Sequence, residues 1–205
     1  MAQVKFASDP DSVPKGEARR RALLDAALRV IGQGGVEAIT HRRVAEEAGV
    51  SRGAVTHHFG SRDAIVVEAF RYYIRIVASH LDEAMEKDSG EGLDGVIEWM
   101  VRYQQREFLD PQLVLAEYEL ILFAARSEEL GPEYRAWERS LIGSLAISLE
   151  RAGFPNAMSA ARLGIGVFRA FELECLTHPE RKAGELRERL HQLFTALHDS
   201  AASND

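Results

Sequence analysis

The sequence predicts an all-α fold, and three observations carry that prediction. Apolar residues recur at helical spacing, as in Leu23, Ala27, Val30 and Ile31. No segment combines β-branched enrichment with strict alternation, so strands are not expected. Pro111, Pro132, Pro155 and Pro179 fall at or near the starts of periodic segments, where a missing N–H costs little.

Taken in order, residues 1–14 contain Asp9-Pro10-Asp11-Ser12 and Pro14 without periodicity and read as a disordered arm. A helix runs from Glu17 and stops at Gly34-Gly35. Two short helices follow at about 41–48 and 52–58, separated by Gly49-Val50-Ser51. Ser61 caps the next helix, which carries Ile65, Ala69, Tyr72, Tyr73, Ile76 and Leu81 on its apolar side. Asp88-Ser89-Gly90-Glu91-Gly92 marks a break, and helices are expected beyond it at about 93–109, 111–126, 132–152, 157–177 and 181–199. There is no internal repeat and no low-complexity tract.

The stretch HRRVAEEAGVSRGAVTHHFG, residues 41–60, has the pattern of a helix-turn-helix. Two short helices that cross steeply leave little room between them, so a small residue such as Ala45 belongs at the crossing. The turn favours a residue free to adopt positive φ, which Gly49 supplies. Val44, Ala48, Val50 and Val55 form the apolar wedge between the helices. Thr40 and Ser51 supply side-chain caps for the first and second helix. The second helix is too short and too polar to serve as core, and it turns Arg52, Thr56 and His57 outward. Such side chains bond base edges and phosphates, as a recognition helix does in the major groove. Gly53 is costly in a helix, by roughly 1 kcal/mol, and that points to close approach of its backbone to DNA. Arg62, beside the Ser61 cap, reads as a phosphate clamp at a helix N-terminus. Arg19-Arg20-Arg21 either follows the DNA backbone or forms a solvated face.

Net charge is −7, which is unfavourable for a nucleic-acid binder until the chain is divided. Residues 1–63 carry ten Lys/Arg against eight Asp/Glu, a balance of +2, whereas 64–205 carry fifteen against twenty-four, a balance of −9. This asymmetry permits one end to approach a polyanion. The single cysteine, Cys175, excludes an internal disulfide framework and an all-cysteine metal site, and neighbouring His57 and His58 diverge on a helix. No metal and no cofactor are expected. The first twenty residues lack a signal-peptide core, and no apolar run approaches the roughly 18–20 residues that span a bilayer. A cytoplasmic protein with no membrane partner is expected.

Thr40 through Ile65, THRRVAEEAGVSRGAVTHHFGSRDAI, resembles the N-terminal domain of the TetR family of bacterial repressors. The preceding Gly-Gly-Val-Glu-Ala-Ile-Thr matches as well, and the likeness covers roughly residues 17–70. One departure stands out: the family usually carries an aromatic, most often tyrosine, where this chain has Thr56. Threonine offers a phosphate hydrogen bond or a contact to a thymine methyl, over a smaller area. The resemblance implies that Arg42 reaches a base or phosphate. The DNA-binding set is therefore Thr40, Arg42, Ser51, Arg52, Gly53, Thr56, His57 and Arg62. The expected organisation is an arm at 1–14, a three-helix DNA-binding domain at 15–62, and a helical ligand-binding and dimerisation domain at 63–205.

In that second region, the helix at 111–126 is apolar nearly all round, with Leu113, Val114, Leu115, Leu120, Ile121, Leu122 and Phe123, and is expected to be buried. Glu117 sits within its apolar surface and needs either an arginine from a neighbouring helix or a polar ligand. The resemblance implies a pocket for a small, largely apolar effector, and Trp99, Tyr103, Glu117, Tyr118, Phe123 and Phe168 are its expected lining. The last two helices carry stripes suited to self-association: Leu163, Gly164, Val167 and Phe171, then Leu186, Leu190, Leu193 and Leu197. One recognition helix reads too few base pairs, whereas a two-fold pair reads a palindrome. The reading is a homodimeric repressor that binds a palindromic double-stranded operator and is released by a small molecule. The alternatives are a ligand-independent architectural protein with the same head, and a helical enzyme built on Glu117. The second lacks any nucleophile–base spacing, phosphate loop or HExxH motif, so an enzyme is not expected.

Overall fold

The structure is a computed structural model; it describes the backbone of residues 15–87 and 92–202 and the side chains of residues 16–79 and 92–200. The expected arm at 1–14, most of the break at 88–92 and the side chain of Leu81 lie outside the described residues. Among the described residues the regular elements are all helical: α1 (Lys15–Gly34), a 3-10 turn (Val36–Ala38), α2 (His41–Ala48), α3 (Arg52–His58), α4 (Arg62–Lys87), α5 (Gly92–Glu107), α6 (Pro111–Ala125), α7 (Leu130–Arg151), α8 (Ala157–Thr177) and α9 (Ala183–Ala202). The all-α architecture is thus as expected. The largest boundary difference is at α9, which ends at Ala202 rather than near 199; α7 begins two residues early, at Leu130, and takes Pro132 into its first turn. No N–H has an intrahelical acceptor there, so the ring is tolerated.

The described residues gather into two compact units, one within residues up to 78 together with 109–131 and the other within 79–108 together with 132–202. Packing therefore groups α6 with α1, although the functional division expected at residue 62 separates them. In the first unit, Leu23, Leu24, Ala27, Leu28 and Ile31 of α1 are buried with Ile65, Val66, Ala69 and Phe70 of α4. A Cβ on Gly32 would lie 2.1 Å from the backbone oxygen of Gln112, so α6 can approach α1 this closely only across a glycine.

The expectation that α6 is buried on every side is corrected. Val114, Glu117, Leu120 and Ala124 are buried at a spacing of three to four residues, while Leu115 is 38 % and Leu122 54 % exposed. The helix is apolar all round but covered on one face.

The second unit packs α5, α7, α8 and α9 around Ile97, Met100, Leu145, Leu149, Phe171 and Phe194. Gly153, with φ of 76°, ends α7 by donating to the Glu150 carbonyl while Phe154 N–H reaches the Leu149 carbonyl, each at 2.9 Å. The stripes expected to meet a second copy are largely used here. Phe171, Leu186 and Leu190 are fully enclosed in the unit's own core. Gly164 faces the Phe194 ring, where a Cβ would lie 2.9 Å from Cζ. Val167, Leu193 and Leu197 pack half-buried against the same core, and only Leu163 of the expected set is open, at 46 %. Helical periodicity marks an apolar stripe but does not say whether the chain itself or a partner covers it.

Candidate nucleic-acid interface

The caps that delimit α2 and α3 are local. Thr40 Oγ1 accepts the Arg43 N–H at 3.1 Å, and Ser51 Oγ accepts the Ala54 N–H at 3.3 Å. Between them Gly49 takes the left-handed conformation, φ 65° and ψ 36°. Its N–H meets the Glu46 carbonyl at 3.2 Å, and Val50 N–H meets that of Ala45 at 2.9 Å. This pair of bonds satisfies two carbonyls the helix end would leave unpaired, and a side chain with Cβ would strain it. Val44, Ala45 and Val55 are buried in the wedge, with Ala48 and Val50 half-buried at its edge. His41 Nε2–H donates to the Phe59 carbonyl at 2.8 Å, joining the start of α2 to the end of α3. Nothing in the linear pattern flagged His41, because its partner lies 18 residues away.

With the wedge held, the polar residues face outward. Thr40, Arg42, Ser51, Arg52, Gly53, Thr56 and His57 are all exposed; Arg42 keeps 76 % of its side chain open and bonds only loosely to Glu46, at 3.4 Å. Thr56 Oγ1 donates to the Arg52 carbonyl at 3.1 Å, which fixes the hydroxyl against its own helix. A Cβ on Gly53 would meet nothing nearer than Ser51 Oγ at 3.9 Å, so packing within the chain does not require glycine there. Arg62 differs from the rest of the expected set. It is half-buried and bonds the Val36 carbonyl at 3.1 Å, Glu37 at 2.8 Å and Asp63 at 3.3 Å. His58 is half-buried, with its ring centroid 5.4 Å from that of His57.

The residues expected around an effector divide between the two units. In the second, Trp99 and Tyr103 stack at 6.0 Å between ring centroids, and Tyr103 lies 6.0 Å from Phe168. All three rings are half-buried, and the Trp99 indole nitrogen is enclosed without an acceptor. In the first, Tyr118 and Phe123 are half-buried on α6. Glu117 is buried and accepts the hydroxyl of Tyr73, from α4, at 2.6 Å. Among the described residues no group of three or more His, Cys, Asp or Glu could hold a metal ion, and no helix is long and apolar enough to cross a membrane.

A capped, glycine-turned helix pair with an exposed basic and polar face, on a wholly helical chain, defines a helix-turn-helix transcriptional regulator. Residues 23–69 match the bacterial regulatory proteins of the tetR family, and residues 88–199 match the tetracyclin repressor-like C-terminal domain. The chain belongs to the TetR family of bacterial transcriptional regulators. It is 34% identical over 167 residues to the HTH-type transcriptional regulator BetI of Agrobacterium fabrum, which covers 80% of this chain and 79% of that protein. Among solved structures, a transcriptional regulator from Pseudomonas aeruginosa PAO1 superposes with a TM-score of 0.77 at 23% identity, over 94% of this chain and 96% of that one. The multidrug binding protein EbrR, complexed with ethidium, gives a TM-score of 0.61 at 31% identity, over 86% and 98%. Members of this family are regulators and not enzymes, so the reading of Glu117 as a catalytic group is set aside.

Proposed function

We propose that the chain is a homodimeric repressor that binds a palindromic operator and is released by a small, largely apolar molecule. The observation that carries this reading is the outward row Arg42, Arg52, Thr56 and His57 on two helices whose caps and turn are formed. In it, Arg42 and Arg52 contact base edges, Thr40 and Ser51 offer hydroxyls at helix starts, and the open backbone at Gly53 admits close approach of the duplex. A guanidinium paired to guanine O6 and N7 discriminates by roughly 1–3 kcal/mol.

Dimerisation is supported by an exposed face of α8 that shares Leu163 with the expected stripe. Leu163 and Leu173, 46 % and 48 % exposed, flank the exposed small residues Gly166 and Ala170 at intervals of three and four. A face of leucines around small residues suits close helix packing with a two-fold mate.

For the effector, the stack of Trp99, Tyr103 and Phe168 supplies an aromatic wall, and the buried Trp99 N–H is a donor awaiting an acceptor. EbrR, in complex with ethidium, shows that a related fold takes a flat aromatic molecule. Glu117, Tyr118 and Phe123 lie in the first unit, on α6, the helix that lies against α1 at Gly32. The effector acts through its differential affinity for the DNA-competent and released conformations.

Selection of bound fragments from genomic DNA, followed by fluorescence anisotropy on the recovered duplex, tests the reading. Specific binding that weakens steeply between about 50 and 200 mM salt is expected. Absence of binding to any duplex at low salt overturns it, and a monomer by light scattering at micromolar concentration removes the palindrome.

A further inference from the structure

The 3-10 turn Val36–Ala38 connects α1 to α2, and its first residue is held from both sides by distant side chains. Val36 N–H donates a long bond to Glu119 Oε2 of α6 at 3.4 Å, and the Val36 carbonyl accepts Arg62 Nη2 at the start of α4 at 3.1 Å. The local backbone is shaped for this. Gly35, at φ 74°, precedes the turn, and a Cβ there would come within 3.1 Å of the Glu119 carboxylate. One helical turn earlier, Gly32 admits the Gln112 carbonyl, which fixes the start of α6 against α1. Beyond the turn, Thr40 caps α2, so the pose of α2 and of Arg42 follows from where Val36 is held.

Arg62 is not free to meet a phosphate in this arrangement. Its guanidinium bonds the Val36 carbonyl and lies 2.8 Å from Glu37 and 3.3 Å from Asp63, two carboxylates that oppose the approach of another anion.

We propose that Glu119 and Arg62 are positioning residues for DNA binding that act as one unit through Val36. Glu119 holds the turn from α6, Arg62 holds it from α4, and withdrawal of the Glu119 carboxylate loosens the helix-turn-helix without touching its DNA-facing residues. This rests on the operator-binding reading, and it replaces the phosphate-clamp role expected of Arg62.

The test uses the full chain with Glu119→Met, Glu119→Gln, Arg62→Ala and the Glu119→Met/Arg62→Ala double variant. The probe is the duplex recovered by genomic selection, titrated by anisotropy from about 50 to 200 mM salt. Glu119→Met and Arg62→Ala each weaken binding by about tenfold, the scale of one charge-assisted bond, with the salt slope unchanged. Glu119→Gln, which keeps an accepting oxygen of the same reach, stays near the parent. The double variant is no weaker than either single one, as coupled residues require. A phosphate clamp instead lowers the slope by roughly 0.9 in the Arg62 variant alone, and its loss multiplies with that of Glu119. Either result overturns the proposal.

Hydrogen exchange on the DNA-free protein provides the independent arm. The Val36 amide and those of α2 exchange faster in Glu119→Met and Arg62→Ala but not in Glu119→Gln, while amides at Leu186 and Leu190 are unchanged. Unaltered exchange at Val36 overturns the proposal. If no duplex binds, the operator reading fails while this arm still decides the positioning roles.

Discussion

Both compact units pair carboxylates with arginines, but two carboxylates of the first are bonded by tyrosine hydroxyls and make a contrast with two of the second. In the first unit, Asp25 accepts the Tyr72 hydroxyl at 2.8 Å and Glu117 accepts that of Tyr73 at 2.6 Å. In the second, Glu98 meets Arg187 and Glu174 meets Arg189, each through two bonds, those of the latter pair both 2.8 Å. A hydroxyl bonds a carboxylate without adding an opposite charge, whereas a guanidinium adds one. Burial accordingly pushes Asp25 above its ordinary value of 3.8, with the Tyr72 bond only partly opposing it, and burial together with the Asp25 charge pushes Tyr72 up as well. The arginine bonds draw Glu98 and Glu174 below their ordinary 4.5.

The difference fixes opposite responses to acid. Asp25 binds its proton more tightly folded than unfolded, so its contribution to stability falls as pH rises from 3.8 through its folded value. Glu98 and Glu174 contribute above 4.5, and that contribution is lost as pH falls through their lower folded values. Charge pairing in the second unit is solvent-exposed, which keeps its effect small.

Substitutions can break or sharpen this contrast. The largest effect comes from the core beneath the arginine pairs. Phe171→Ala costs about 3–5 kcal/mol in denaturant melts, because Phe171 is fully enclosed. Gly32→Ala in the first unit costs about 1–3 kcal/mol, since its Cβ meets a backbone oxygen at 2.1 Å; Gly164→Ala costs less, because the tip of the Phe194 ring can yield. Removing the hydroxyl in Tyr73→Phe costs about 1.5–3 kcal/mol, the range for a bond to a charged group, and a loss below 0.5 kcal/mol would show Glu117 to be protonated or otherwise satisfied. The smallest effects are on the pH profile. Asp25→Asn retains an acceptor for Tyr72 and flattens the first unit's dependence above pH 3.8, whereas Arg189→Ala removes part of the second unit's acid sensitivity below 4.5. Thermal melts from pH 3 to 7 separate the two, and parallel shifts would erase the contrast.

The same divide separates what the sequence made legible from what it did not. Thr40, Gly49 and Ser51 act on backbone groups within four residues, so their spacing alone announced the helix-turn-helix. Helix existence was equally readable from apolar periodicity. Partners were not, because they lie far along the chain: Tyr73 is 44 residues from Glu117, and Glu119 is 83 from Val36. Leu186 and Leu163 look alike as stripe residues, yet one is enclosed in its own core and the other is exposed. The neighbourhood of Arg62 suggested a phosphate clamp and gave no sign of its bond to a carbonyl 26 residues upstream.

The place of α6 beside α1 also has a consequence for how the protein is made. Synthesis proceeds from the N-terminus, and domains generally fold as they emerge. Here the helix-turn-helix is complete in sequence by His58, but the helix that seats on Gly32 and reaches Val36 begins at Pro111. A nascent chain ending before Pro111 thus has its recognition helix without α6 packed on α1, and closure must bridge a long loop, a slow step for contacts of such separation. The packed first unit is therefore complete only once α6 has emerged.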